Sequence, residues 1–191
     1  MSLKSIQPRT TVLILMIVFA AAFRLLQSSN AFSILSNVTP IGAIALFGGC
    51  YFRDRWKAFL VPLVTLWLSD IFINRMFYSD HWVFYYSGAT WVYGCFALMV
   101  VLGQFIKKVT FLNVALGGIS AALVHWVVSD FGVWIGGSMY TKDLNGFLQC
   151  YFMALPFLKN MLIGNLVFCG VLFGAFEFMQ RKYPVLRVQA S

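Results

Sequence analysis

Charge is what this sequence has least of. Only 10% of its 191 residues are Asp, Glu, Lys or Arg, against about 25% in an ordinary soluble domain. Hydrophobic residues make up 61%, and the mean hydropathy is +0.82. Together these exclude a soluble globular domain and point to a membrane protein. No G-x-x-x-x-G-K-[ST] loop, dinucleotide fingerprint or H-E-x-x-H pair occurs, so the chain cannot hydrolyse ATP by a known route and carries no metalloprotease signature. The four cysteines form no C-x-x-C and no metal-ligand spacing. Cys50 falls near one face and Cys169 inside the last apolar segment; only Cys95 and Cys150 share a side and could pair. Internal repeats are absent. The net charge is +8, but the basic residues sit in short clusters between apolar runs, with no basic face and no nucleic-acid motif. Nucleic acid is therefore excluded as a partner.

What is present is long apolar runs. Six are counted, at 10–27, 38–52, 57–77, 88–106, 111–135 and 158–180. Most approach the roughly 20 residues a helix needs to cross a bilayer; the second is short at its polar end. Runs such as "TTVLILMIVFAAAF" are unbroken, which favours helices over the alternation of a barrel strand. The expectation is a single all-α transmembrane domain over 1–191, with six helices. The first run is retained as a span and not a signal peptide, because its removal would spoil the even count. Segment 147–158 reads as an interfacial or re-entrant helix, with Pro156 breaking a straight continuation into the sixth span.

Lys and Arg alternate from side to side. Lys4, Arg9, Arg53, Arg55, Lys57, Lys107, Lys108, Arg181, Lys182 and Arg187 lie on one side, and Arg24, Arg75, Lys142 and Lys159 on the other. The positive-inside rule then puts both termini in the cytoplasm. Placed by depth, nearly every polar group within a span falls in the outer half. These are Asn37 and Thr39 at the start of the second span, Asp70 in the third, Cys95 in the fourth, His125 and Asp130 in the fifth, and Asn160 and Asn165 in the sixth. Trp91 and Tyr93 belong to an aromatic population concentrated on the same side.

Two readings stand. Polar side chains can bond across helices and hold them together, for example Arg24 paired with Asp70 or Asp130. Alternatively, residues lent by several spans at one depth frame an outward-open pocket, since ionisable groups in a span usually face a cavity or a partner. "NVTPIGAIALFGGCYF" suits both. Its outer end offers polar groups, and Gly42, Ala45 and Gly49 let another helix approach closely, in this chain or in a partner. An enzymatic reading rests on "HWVVSD", with His125 and Ser129 one turn apart and Asp130 next, but no nucleophile-elbow pattern surrounds them.

"NVTPIGAIALFGGCYF", "VPLVTLWLSDIF", "VYGCFALMVVLG", "VSDFGVWIGG", "LQCYFMALPFLKNMLIGNLVF" and "FGAFE" resemble a family of small bacterial six-helix membrane proteins without assigned function. That family in turn resembles the substrate-binding S components of energy-coupling factor (ECF) vitamin transporters. The resemblance implies a vitamin held in an outward pocket, with the protein toppling in the bilayer to release it inside. It also implies a separate transmembrane subunit and two ATPases as partners. "FAAAFRLL" in the first span departs from the coupling motif of that class, having adjacent alanines in place of a spaced small pair. Solitary S-component-like proteins carry cobalamin and can coordinate its cobalt through a cysteine, and Cys95 is the candidate here. The expectation is therefore a non-enzymatic uptake protein of the bacterial cytoplasmic membrane. It binds a micronutrient, with cobalamin as the specific ligand, through Cys95, Asp70, Asn37, Thr39, Tyr93, Trp91, His125, Asp130, Asn160 and Asn165. The alternatives are an intramembrane enzyme acting on a lipid or periplasmic substrate and a ligand-free structural subunit.

Overall fold

The computed structural model describes residues 7–27 and 38–187, and among them the chain is all-helical. Helix α1 (Pro8–Gln27) opens on Pro8, whose missing N–H costs nothing in a first turn. Helix α2 (Ile41–Tyr51) follows Pro40, and α3 (Arg55–Ile73) runs into a π-helical turn at Asn74–Tyr78. Gly88 turns the chain into α4 (Ala89–Gln104) at φ +88°, a left-handed value that suits glycine. The Thr110 hydroxyl accepts from the Asn113 N–H at 3.2 Å and caps α5 (Phe111–Gly136). The Asp143 carboxylate accepts from the Gly146 N–H at 2.8 Å and caps α6 (Leu144–Met153). Only Ala154 separates α6 from α7 (Leu155–Lys182), whose first turn holds Pro156. The break expected at that proline is the join between these helices.

Among the described residues four helices are long and apolar enough to cross a membrane: α1, α3 with its π-helical turn, α5 and α7. The expected second and fourth spans form shorter helices of 11 and 16 residues. At about 1.5 Å per residue α2 reaches only about 16 Å, half a hydrocarbon core. Its apolarity has another cause. Every α2 residue except Cys50 is buried, because α4, α3, α7, α1 and α5 all pack around it. Its small residues are used inside this chain. A side chain at Gly49 would run into the Val100 carbonyl of α4, and one at Gly103 into the Leu46 backbone. Gly48 fits against Pro62 of α3, and Gly42 against Asn165 of α7. Below these contacts the Phe47 ring meets Tyr51, Phe173 and Phe176 at 4.8, 5.5 and 5.6 Å.

The helices alternate in direction from α1 to α5, and α6 and α7 both run against α5, with Cys150 at Asp130 and Asn165 at Gly118. At the basic end Arg9 donates to the Tyr51 carbonyl at 3.1 Å, to Gln180 Oε1 at 3.1 Å and to the Leu186 carbonyl at 2.6 Å. The start of α1, the end of α2 and the end of α7 therefore share one face. The far end gathers the end of α1, the end of α3, the start of α4, the end of α5, and α6.

Candidate functional site

The far end carries the polar residues, and the fold divides them among three seams. On the seam of α1, α3 and α4, Asp70 is 4% exposed and bonded on both oxygens. Arg24 Nη1 pairs with Oδ1 at 2.5 Å and also donates to Ser69 Oγ at 2.6 Å. The Tyr93 hydroxyl donates to Oδ2 at 3.1 Å, and that of Tyr86 lies at 3.5 Å. Burial and the neighbouring carboxylate raise the Tyr86 phenol above its ordinary value, which keeps its proton available to donate. Ser69 passes its own proton to the Leu66 carbonyl at 2.8 Å. Of the two partners open to Arg24 in the sequence, the fold uses Asp70. The π-helical turn begins four residues later, where the Asn74 amide bonds back to the Asp70 carbonyl at 2.8 Å.

A second seam joins α2 and α7. Asn165 is fully buried and donates to the Gly118 carbonyl at 3.2 Å. Thr39 is half-buried, with its backbone nitrogen beside Gly164. Asn160 is half-buried in the early turns of α7. Asn37 lies outside the described residues.

The third seam lies between α4, α5 and α6. Cys95 faces inward with 0% exposure, close to the Ser129 backbone and the Asp130 carboxylate. Gly94, its neighbour in the chain, lies on the exposed side of α4 and opens no path to that sulfur, because adjacent helical residues point about 100° apart. A large ring cannot touch the Cys95 sulfur unless α4 and α5 part. Cys95 and Cys150 are both free thiols, so the disulfide open to them in the sequence is not made; Cys150 instead points to the Asp130 carbonyl at 3.5 Å. Trp91 covers Gly132 and meets Phe131 edge-on at 5.5 Å. His125 is half-buried against Phe96, with ring centroids 5.7 Å apart.

The seams differ in what is left unspent. The Asp130 carboxylate makes no hydrogen bond or ion pair among the described residues, although it stands in a helix long and apolar enough to cross a membrane, beside Cys95, Cys150 and Tyr151. One turn earlier the Trp126 Nε1–H is buried with no acceptor among the described residues. The indole lies edge-on to Tyr151 of α6 at 5.1 Å, and the Tyr151 hydroxyl is committed to the Val127 carbonyl at 2.6 Å. Spaced four apart, Trp126 and Asp130 share a helix face. An acceptor and a donor are thus both available, a pattern that suits a ligand carrying an amine or amide N–H and an oxygen. Among the described residues no three His, Cys, Asp or Glu side chains group to hold a metal.

A family model described as a family of unknown function, DUF6580, matches residues 4–186. The chain belongs to that family. No curated protein and no solved structure matches it. Membership in DUF6580 assigns no activity, so the chemistry has to come from the residues.

At the basic end the fold adds a cluster that sequence reasoning overlooked. Besides the three bonds of Arg9, the Tyr51 hydroxyl donates to Glu177 at 2.6 Å and Gln180 to the same oxygen at 3.1 Å. The available signal was the one acidic residue of the last helix, Glu177, three positions before Gln180.

Proposed function

We propose that this DUF6580 member is a multi-pass uptake protein of the bacterial cytoplasmic membrane, taking a small-molecule micronutrient of the vitamin class from the extracytoplasmic side. The reading adopts six passages, with α2 and α4 as short crossings, of which α2 is enclosed by the helices around it. The basic end faces the cytoplasm by the positive-inside rule, which turns Asp130 outward.

One observation carries the reading: among the described residues Asp130 is unpaired in a helix long and apolar enough to span, one turn from a buried Trp126 N–H without an acceptor. An ionised side chain in a span costs about 2.5–3.5 kcal/mol on insertion scales, and such residues mark substrate or ion pathways. Folding gains nothing from an unspent carboxylate and an unspent indole N–H side by side, whereas a ligand gains two hydrogen bonds. The ligand presents an N–H group to Asp130 and an oxygen to Trp126. A corrinoid held by Cys95 is the less favoured version, since that thiol has no exposed surface.

The test is native mass spectrometry of the protein purified from membranes without denaturation. The wild type is expected to carry a small-molecule adduct, and Asp130→Asn to lose it while keeping its helical signal. A wild type free of any adduct, or an adduct unchanged in Asp130→Asn, contradicts the reading. Turnover of an added ester or amide that depends on His125 would favour the enzymatic alternative.

A further inference from the structure

We infer that the furrow between α4 and α5 at the basic end is a binding site for an anionic phospholipid, independent of the uptake reading. The turn joining the two helices is tight. Phe105 N–H bonds to the Leu102 carbonyl at 3.0 Å, Ile106 N–H to Gly103 at 3.1 Å and Lys107 N–H to Phe105 at 2.9 Å. It therefore ends α4 abruptly and presents Lys107 and Lys108, both exposed, at the mouth of an open furrow. Leu102, Leu116, Gly117 and Ser120 form its walls and floor. A side chain at Gly117 would come within 3.0 Å of Ile106 Cδ1, so the hollow exists because that position has none. From Asn113 to Ser120 it follows α5 for about 10 Å, enough for the upper part of one acyl chain.

Charge selects the occupant. The chain has six acidic residues, and none neutralises this mouth. Asp54 pairs with Lys57, Asp70 with Arg24, and Glu177 is bonded to Tyr51 and Gln180. Asp80, Asp130 and Asp143 belong to the opposite end. Lys107 and Lys108 have no ion pair among the described residues. Two uncompensated ammonium groups above an apolar furrow at the end of a spanning helix complement a phosphate headgroup with its acyl chain lying below. Phe105, Phe111 and Leu112 are exposed beside the mouth, which places this turn at the depth where headgroup meets hydrocarbon.

The test titrates the full chain in detergent with phosphatidylglycerol, phosphatidylcholine and inorganic phosphate, counting bound molecules by native mass spectrometry. Phosphatidylglycerol is expected to bind in preference to phosphatidylcholine, undisturbed by phosphate. Lys107→Gln with Lys108→Gln should weaken it about 25-fold, roughly fivefold for each lysine. Gly117→Leu, which changes no charge, should weaken it too; if that variant fails to fold, Ser120→Leu takes its place. Arg53→Gln with Arg55→Gln removes the same charge elsewhere at this end and should leave binding unchanged. Equal binding of both lipids, displacement by inorganic phosphate, an equal loss in the Arg53 and Arg55 variant, or no effect of filling the furrow would each overturn the proposal.

Discussion

Asp70 on α3 and Asp130 on α5 both lie within roughly 12 Å of the far ends of their helices, and their surroundings differ in kind. Asp70 receives an arginine and two tyrosine hydroxyls and is 4% exposed. Asp130 receives no donor among the described residues and is half-buried beside two free thiols. A carboxylate whose oxygens are bonded fastens α1, α3 and α4 together, and exchanging its partners would cost the fold. A carboxylate with its oxygens unspent fastens nothing and can take a partner that comes and goes. In this molecule the unused hydrogen-bonding capacity, more than the depth, separates a structural charge from a candidate binding charge.

The largest effect should come from breaking the satisfied member. Asp70→Ala leaves Arg24 without its carboxylate, and removing one partner of a buried pair typically costs about 3–5 kcal/mol. A denaturant or thermal melt in detergent should show that loss, and an unchanged melt would remove Asp70 from its structural role. Tyr93→Phe is gentler. It deletes one of the three donors, and hydrogen bonds to charged groups are worth about 1.5–3 kcal/mol. A melt of that variant should fall between wild type and Asp70→Ala.

Trp126→Phe sharpens the other side of the comparison. Among the described residues the indole N–H has no acceptor to lose, so removing it relieves a buried donor while keeping an aromatic ring against Tyr151. Stability should stay close to wild type, within about 0.5–1 kcal/mol, while ligand retention falls. A melt as damaged as that of Tyr93→Phe would show a bonded indole.

The smallest effect belongs to a third carboxylate, exposed Asp143. Bonds from the Gly146 backbone N–H and the Thr141 hydroxyl hold it below the ordinary 3.8. Because its folded value is depressed, its cap on α6 is fully present above the ordinary value and is lost as pH falls through the lowered one. Protection of the Gly146 amide against exchange, taken relative to its intrinsic rate at each pH, should therefore be lost only below pH 3.8, and in Asp143→Ala it should be absent at every pH. Exchange in the wild type that is insensitive to acid would show that the cap contributes nothing.

Much of the architecture was legible in the apolar runs, because a segment that must satisfy its own backbone in lipid has few options. The helices appear close to where 10–27, 111–135 and 158–180 were expected. The basic clusters that the sequence places on one side do meet, through Arg9, at one end. Hydropathy made α2 a longer run than the 11-residue helix that forms, since it cannot distinguish a residue facing lipid from one facing five other helices. The position of Asp70, Cys95, Asp130 and Asn165 along each run could be counted, but their direction around the helix could not. Residues expected in one pocket therefore fall on three seams, and Cys95 turns inward where Gly94 turns out. The Arg9, Tyr51 and Glu177 cluster escaped because polar residues at a membrane boundary look solvated until the helix ends are brought together.

The comparison of the two carboxylates is tested most directly by melting Asp130→Asn beside the wild type in the same detergent, with bound small molecules first removed. The account predicts that Asp130→Asn is as stable as wild type or more so, because it removes an unpaired charge from a spanning helix. A loss as large as that of Asp70→Ala would contradict it, since Asp130 would then be holding the fold together and would not be free for a ligand.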